Sequence, residues 1–115
     1  MGVTETFFSV EVGDMKRATA FYVGALGAVV VFASPDWSSL RIAGVRIGLA
    51  FDPGHAGGRV GLHFAVGDLE GARADVERAG GRLAGPPVEV APGVVLADVT
   101  DTEGNTFTLT RSASG

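Results

Sequence analysis

The chain holds two histidines, His55 and His63, thirteen acidic residues and no cysteine, so acid–base or metal chemistry would have to be assembled from imidazole and carboxylate. The absence of cysteine excludes a thiolate nucleophile, a disulfide framework, an iron–sulfur cluster and Cys-based zinc sites. His63, in GLHFAVGD, titrates near pH 7 in its reference state, about 6.5, and suits a general base; a lone strand histidine is equally the mark of a satisfied structural residue. Asp98, in VVLADVT, and Glu11, in SVEVG, are single carboxylates inside apolar, strand-like runs, each facing either a concave site or solvent. His63, Asp98 and Glu11 are the candidate catalytic residues. No P-loop, nucleophile elbow or dinucleotide fingerprint competes with them.

The elements that must position these groups follow from the hydrophobic pattern. Phe8, Val10 and Val12 alternate with Phe7, Ser9 and Glu11, the period-two signature of a half-buried strand. Asp14 is the N-cap of a helix over 15–26 that shares Ala18, Phe21, Tyr22 and Ala25 on one face and closes at Gly27. Strands follow at 29–33, 38–42 and 45–51, and DPGHAGGR over 52–59 is a linker. The order then restarts: a strand face of Leu62, Phe64 and Val66, a helix over 69–79 capped by Asp68 and ended by Gly80 and Gly81, and strands near 82–83, 88–90, 94–99 and 105–110. Pro86, Pro87 and Pro92 keep the middle of this second set at a sheet edge.

A shift of 54 residues lays FSVEVGDMKRATAFYVGALG on LHFAVGDLEGARADVERAGG, with Val12, Gly13, Asp14, Ala18, Ala20 and Gly27 on Val66, Gly67, Asp68, Ala72, Ala74 and Gly81. GVRIGL and GNTFTL align as the closing strands. The chain therefore reads as an α+β domain of two βαβββ modules, at about 5–52 and 60–111 of its 115 residues. A composition of 46% hydrophobic and 19% charged residues fits a globular domain, and no apolar run reaches bilayer length, so no membrane partner is expected. The net charge of −4 disfavours nucleic acid and tolerates a cationic ligand. MGVTETFFSVEVGD has neither the basic nor the apolar stretch of a signal peptide, and a cytoplasmic location is expected.

These segments, together with DVTDTEGNTFTL, resemble the vicinal oxygen chelate superfamily of glyoxalase I, extradiol dioxygenases, fosfomycin-resistance enzymes and bleomycin-resistance proteins. The resemblance spans nearly the whole chain. It implies a glyoxalase/bleomycin resistance fold, in which the sheets of the two modules curl into a mixed-sheet cup, with a homodimer as the usual assembly and ligands on the concave face. In the family's enzymes the cup holds a divalent metal on His, Gln or Glu from the first and last strands of each module. Those positions fall here on Phe7, Gly48, Gly61 and Thr108, none of them a normal ligand for a dication, and no metal or other cofactor is expected.

Strand parity sends Phe7, Ser9, Glu11, Ser39, Arg41, Arg46, Gly48, His63, Leu96, Asp98, Thr106 and Thr108 to the concave side, with Trp37 near its rim. Phe7, Ser9, Trp37, Arg41, Arg46, His63, Leu96, Asp98 and Thr108 are the candidate ligand-binding residues, with Phe7 and Trp37 able to stack on a planar molecule. Arg41 and Arg46 would bind an anionic group or pair with Glu11 and Asp98. The resemblance then points to a metal-free, homodimeric protein that binds a small organic molecule, an antibiotic for instance, by sequestration. The alternatives are a lyase or isomerase using His63 acid–base chemistry, a metal-dependent glyoxalase or dioxygenase, and a dimerisation module with an empty cup.

Overall fold

The computed structural model describes residues 2–112. The first strand, β1 (Phe8–Val12), buries Val10 and Val12 completely, as its alternation requires. Asp14 then caps α1 (Met15–Leu26) by accepting the Arg17 amide N–H at 3.0 Å, which satisfies one of the helix's orphan donors. Ala18, Phe21, Tyr22 and Ala25 are the buried stripe. Gly27 ends the helix with φ 67°, a left-handed turn that returns its N–H to the Val23 carbonyl. β2 (Val29–Ala33), β3 (Trp37–Ile42) and β4 (Val45–Phe51) complete a sheet in the order β1-β4-β3-β2, with β1 parallel to β4 and the other pairs antiparallel. β3 starts one residue earlier than its pattern predicts, because the Ser34 hydroxyl donates to the Trp37 carbonyl at 2.6 Å and accepts its amide at 3.0 Å.

The second module repeats this plan with β5 (Gly58–Ala65), α2 (Leu69–Arg78), β6 (Arg82–Leu83), β7 (Val88–Ala91), β8 (Val94–Thr100) and β9 (Asn105–Ser112). Again the first strand runs parallel to the last, here β5 beside β9, and β8 follows antiparallel. The outermost strand is split: β6 and β7 pair with successive stretches of β8, and Pro86 and Pro87 lie in the break. β5 begins at Gly58, so Arg59 is a strand residue and not the end of the linker. Both helices end at a left-handed glycine, but after α2 it is Gly80 and not Gly81, the residue aligned with Gly27. Gly80 (φ 97°) takes the left-handed turn after α2, whereas a Cβ on Gly81 would come within 2.6 Å of both Phe21 Cε1 and the Thr100 carbonyl.

One hydrophobic core joins the modules. Phe107 of β9 meets Phe21 and Tyr22 of α1 at ring-centroid distances of 6.4 and 6.3 Å, and α1 and α2 lie side by side. The molecule measures 41 × 38 × 23 Å, a thickness of about two layers at sheet and helix spacings. Among the described residues no backbone ladder joins the two sheets, and neither closes into a barrel. Each turns one face to the helices and leaves the other free.

The junction is fixed by the turn between β8 and β9. Asp101, buried, accepts the Tyr22 hydroxyl at 2.6 Å, the amides of Glu103 and Asn105 at 2.7 and 2.9 Å, and the Asn105 side-chain amide at 3.1 Å. Asn105 also donates to the Glu11 carbonyl at 2.8 Å, and Glu103 Oε1 accepts the amides of Gly13 and Asp14 at 2.9 and 2.8 Å. Arg17 completes the set with a 2.8 Å ion pair to Glu103. Burial, followed by the Asp101 charge, pushes the Tyr22 phenol up, so it stays a donor. Burial also opposes ionisation of Glu103, but hydrogen bonds from Arg17, Thr102, Gly13 and Asp14 outweigh it and hold that carboxyl below its usual range.

Two outcomes follow for folding. Tyr22→Phe removes a donor from a buried carboxylate and should lower unfolding stability by about 1–3 kcal/mol in urea denaturation. Glu103 has a folded-state pKa below its unfolded value of roughly 4.3, so its stabilisation is complete above that pH and is lost as pH falls through the folded value. Glu103→Gln should therefore cost about 2 kcal/mol at pH 7 and flatten the loss of stability as pH falls below roughly 4.3. An unchanged acid limb in Glu103→Gln would remove this carboxylate from the account.

Candidate functional site

The free faces of the two sheets present equivalent rows of side chains. In the first module the register sets Ser9 of β1 beside Gly48 of β4 and Ser39 of β3. In the second it sets His63 of β5 beside Thr108 of β9 and Asp98 of β8. A bulge between Arg59 and His63 makes this second row, because it absorbs extra residues around Gly61 and leaves Leu62 and Phe64 on the core side. Parity survives, so His63 is exposed on the free face next to buried Thr108.

The first row carries an aromatic wall. Trp37 lies across Gly48 so closely that a Cβ there would sit 2.2 Å from Trp37 Cζ2 and Cη2. The indole is thus over the strands of the sheet and not merely at a rim. Its Nε1 donates to Ser39 Oγ at 3.0 Å, and its ring meets Phe7 edge-on at 6.1 Å between centroids. The Arg46 guanidinium stacks 4.0 Å above the Phe7 ring, reaches Ser39 Oγ at 3.3 Å and pairs with Glu5 at 3.2 Å.

The second row is charged. Asp98 Oδ1 accepts the Thr108 hydroxyl at 2.8 Å, and its Oδ2 is held by Arg59 in an ion pair. The hydrogen bond from Arg59, then that from Thr108, and finally the nearby His63 hold the Asp98 carboxyl below the usual carboxylate range. Such a carboxylate is a fixed negative charge and a poor base. Leu96 is on the same face of β8, two residues along.

The sequence-derived residues therefore separate into two clusters. Phe7, Ser9, Trp37 and Arg46 are together on the first sheet, and His63, Leu96, Asp98 and Thr108 on the second. Glu11 is on β1, in the first sheet, with its charge felt by His55. It shares no hydrogen bond or ion pair with His63 or Asp98, so the three candidate catalytic residues are not one constellation. Arg41 bends to the Gly44 carbonyl at 3.3 Å in the β3–β4 turn. The expected pairing of Arg41 and Arg46 with Glu11 and Asp98 is replaced by Arg46 with Glu5 and Arg59 with Asp98. Arg59 was hidden from sequence reasoning by the glycines around it, which read as linker. His55 stays in the loop, where the hydrogen bond it donates to the Asp52 carboxylate raises its pKa.

The donor set does not fit a family-type metal centre. The four positions carry a phenyl ring, two glycines and a threonine, and the hydroxyl of Thr108 is already donated to Asp98. The space in front of Gly48 is filled by Trp37. Among the described residues no three His, Asp or Glu side chains converge as a metal-binding group.

Solved structures share this architecture at low identity. The fosfomycin resistance protein FosX from Listeria monocytogenes, solved with Mn(II) and sulfate, matches with a TM-score of 0.81 at 16% identity, covering 98% of this chain and 93% of that one. A glyoxalase/bleomycin resistance protein/dioxygenase family enzyme from Burkholderia phytofirmans PsJN gives 0.79 at 20% identity, over 91% and 96%. A glyoxalase/bleomycin resistance protein from Catenulispora acidiphila DSM 44928 gives 0.73 at 23%, over 95% and 98%. At such identities the likeness speaks for the fold and not for a ligand. No curated protein matches the sequence. The profile of the glyoxalase-like domain matches residues 7–110, and the chain belongs to that family.

Proposed function

We propose that the protein binds a small, planar, cationic organic molecule stoichiometrically and without a metal, in the manner of a sequestering bleomycin-resistance-type protein. The observation that carries this reading is Trp37 spread across Gly48 against the edge of Phe7, an aromatic wall in the space where a metal-dependent relative would need its ligands. A flat ligand gains area and ring contacts there, and a cationic group on it would compete with Arg59 for the Asp98 carboxylate on the second sheet.

A homodimer belongs to this proposal. β2 is an edge strand whose five residues are all exposed, with Val29, Val31 and Phe32 each more than half exposed, and Phe7 and Phe8 add apolar surface. Such surface favours burial against a second copy, which would bring the aromatic row of one chain within reach of the charged row of another. Among the described residues no helix is long and apolar enough to cross a membrane. A cytoplasmic site of action is part of the proposal.

One observation favours a second reading, acid–base catalysis by a lyase or isomerase: His63 and Asp98 flank Thr108 in register, so an orienting carboxylate stands two strands from an exposed imidazole.

Trp37 is the only tryptophan, so its fluorescence reports the site directly. Titration with bleomycin and other cationic aromatic antibiotics should quench it with saturation at one or two ligands per dimer. Trp37→Ala, followed by calorimetry, should weaken binding by about 2 kcal/mol, roughly 30-fold. Gly48→Ala must displace the indole, so it should shift the emission and weaken binding in a protein that still folds. Full affinity in both variants would refute the aromatic wall. In the second reading, product forms and His63→Ala abolishes it; an unaltered ligand recovered from wild type sets that reading aside.

A further inference from the structure

A second cavity lies on the helix-covered side of the first sheet, away from both rows. It is a groove of about 1030 Å³ between α1 and the β2–β3 turn. One wall is the stripe of Met15, Thr19 and Val23, spaced four residues apart on a face of α1 next to the one that packs into the core. Pro35 and Phe51 form the other, and the exposed apolar surfaces of Val23 and Phe51 face solvent nearby.

Ser38 is on the floor of this groove. It shares the core-facing parity of Leu40 and Ile42, it is wholly buried, and its hydroxyl has no hydrogen-bond partner in the protein. A buried hydroxyl left unpaired is costly, and the groove that Ser38 lines is a space from which a partner can reach it. The groove is also preformed. Ser34 clamps both polar groups of Trp37, and the Asp36 carbonyl accepts the Phe51 amide at 3.0 Å, so the turn that makes one wall is fixed. Around the rim one cation, Lys16, stands against two carboxylates, Asp14 and Asp36, and this excess of negative charge disfavours an anionic head group.

We propose that this groove binds a neutral lipophilic molecule with a single terminal hydroxyl of phenol or alcohol type. The apolar body lies between Val23 and Phe51, and the head group exchanges a hydrogen bond with Ser38 Oγ. The site is separate from the concave faces and takes a different chemical class from the cationic ligand proposed for them.

The test is an amide NMR titration of the full chain with 4-butylphenol, and with butylbenzene as the analogue lacking the hydroxyl. 4-Butylphenol should perturb residues 15–23, 33–36 and 38 and bind more tightly than butylbenzene. Ser38→Ala, a near-isosteric change that also removes the orphan hydroxyl, should weaken 4-butylphenol about 5- to 10-fold and leave butylbenzene unchanged. Val23→Glu, at a half-exposed helix position, should abolish both. The proposal is overturned if those residues do not move, if the shifts centre on Phe7, Trp37 and Asp98, or if wild type and Ser38→Ala bind 4-butylphenol equally.

Discussion

Asp101 and Glu103 reach from the last turn of the second module into the first helix of the first, and the positions of the other groups depend on that crossing. Each carboxylate gathers donors that would otherwise be orphans: the Tyr22 phenol, the free amides of the turn, and the two amides just before α1. Buried polar groups tolerate little displacement once satisfied, because each lost bond leaves an unpaired charge or donor in an apolar surrounding. The turn thereby fixes β9 against α1, and the Phe21, Tyr22 and Phe107 rings pack in the register it allows. Apolar burial supplies most of the stability, and the polar junction supplies the relative placement of the modules.

With the helices and core on one side, each sheet presents a free face built to the same plan and finished with different chemistry. Ser9, Gly48 and Ser39 correspond to His63, Thr108 and Asp98. Removing side-chain bulk at Gly48 admits an indole across one sheet, and charge at Asp98, locked by Arg59 and Thr108, marks the other. An aromatic surface and a fixed anion together suit recognition of a cation with a flat face. They do not suit a divalent metal, whose charge needs several anionic or imidazole donors converging on one point.

Much of this was legible in the sequence, and the reasons are specific. Alternation at Phe8, Val10 and Val12, aspartate caps at Asp14 and Asp68, and the repeated order of elements express local physics, and the strands and helices fall close to where the patterns put them. Parity placed His63, Asp98 and Phe7 on free faces because a strand permits only two choices, whereas Trp37, expected at the rim, lies across Gly48. Partners across space were not legible. Arg59 read as linker among glycines, Arg46 was matched with the wrong carboxylate, and the near-equivalence of Gly27 and Gly81 concealed a left-handed turn in one case and a steric contact in the other. Nor could periodicity reveal that a bulge brings His63, two residues beyond Gly61, into line with Thr108. The cup expected from the resemblance is open here, as two sheets with free faces.

The proposed binding of an organic cation by the aromatic and charged rows, without a metal, makes a stoichiometric prediction. Native mass spectrometry tests it most directly, on protein purified without chelator, with divalent metals and cationic aromatic antibiotics added separately and together. The account predicts a dimer that retains one or two antibiotic molecules whether or not metal is present, with no stoichiometric metal adduct. A tightly held metal at one per site, or antibiotic uptake only in its presence, would contradict it.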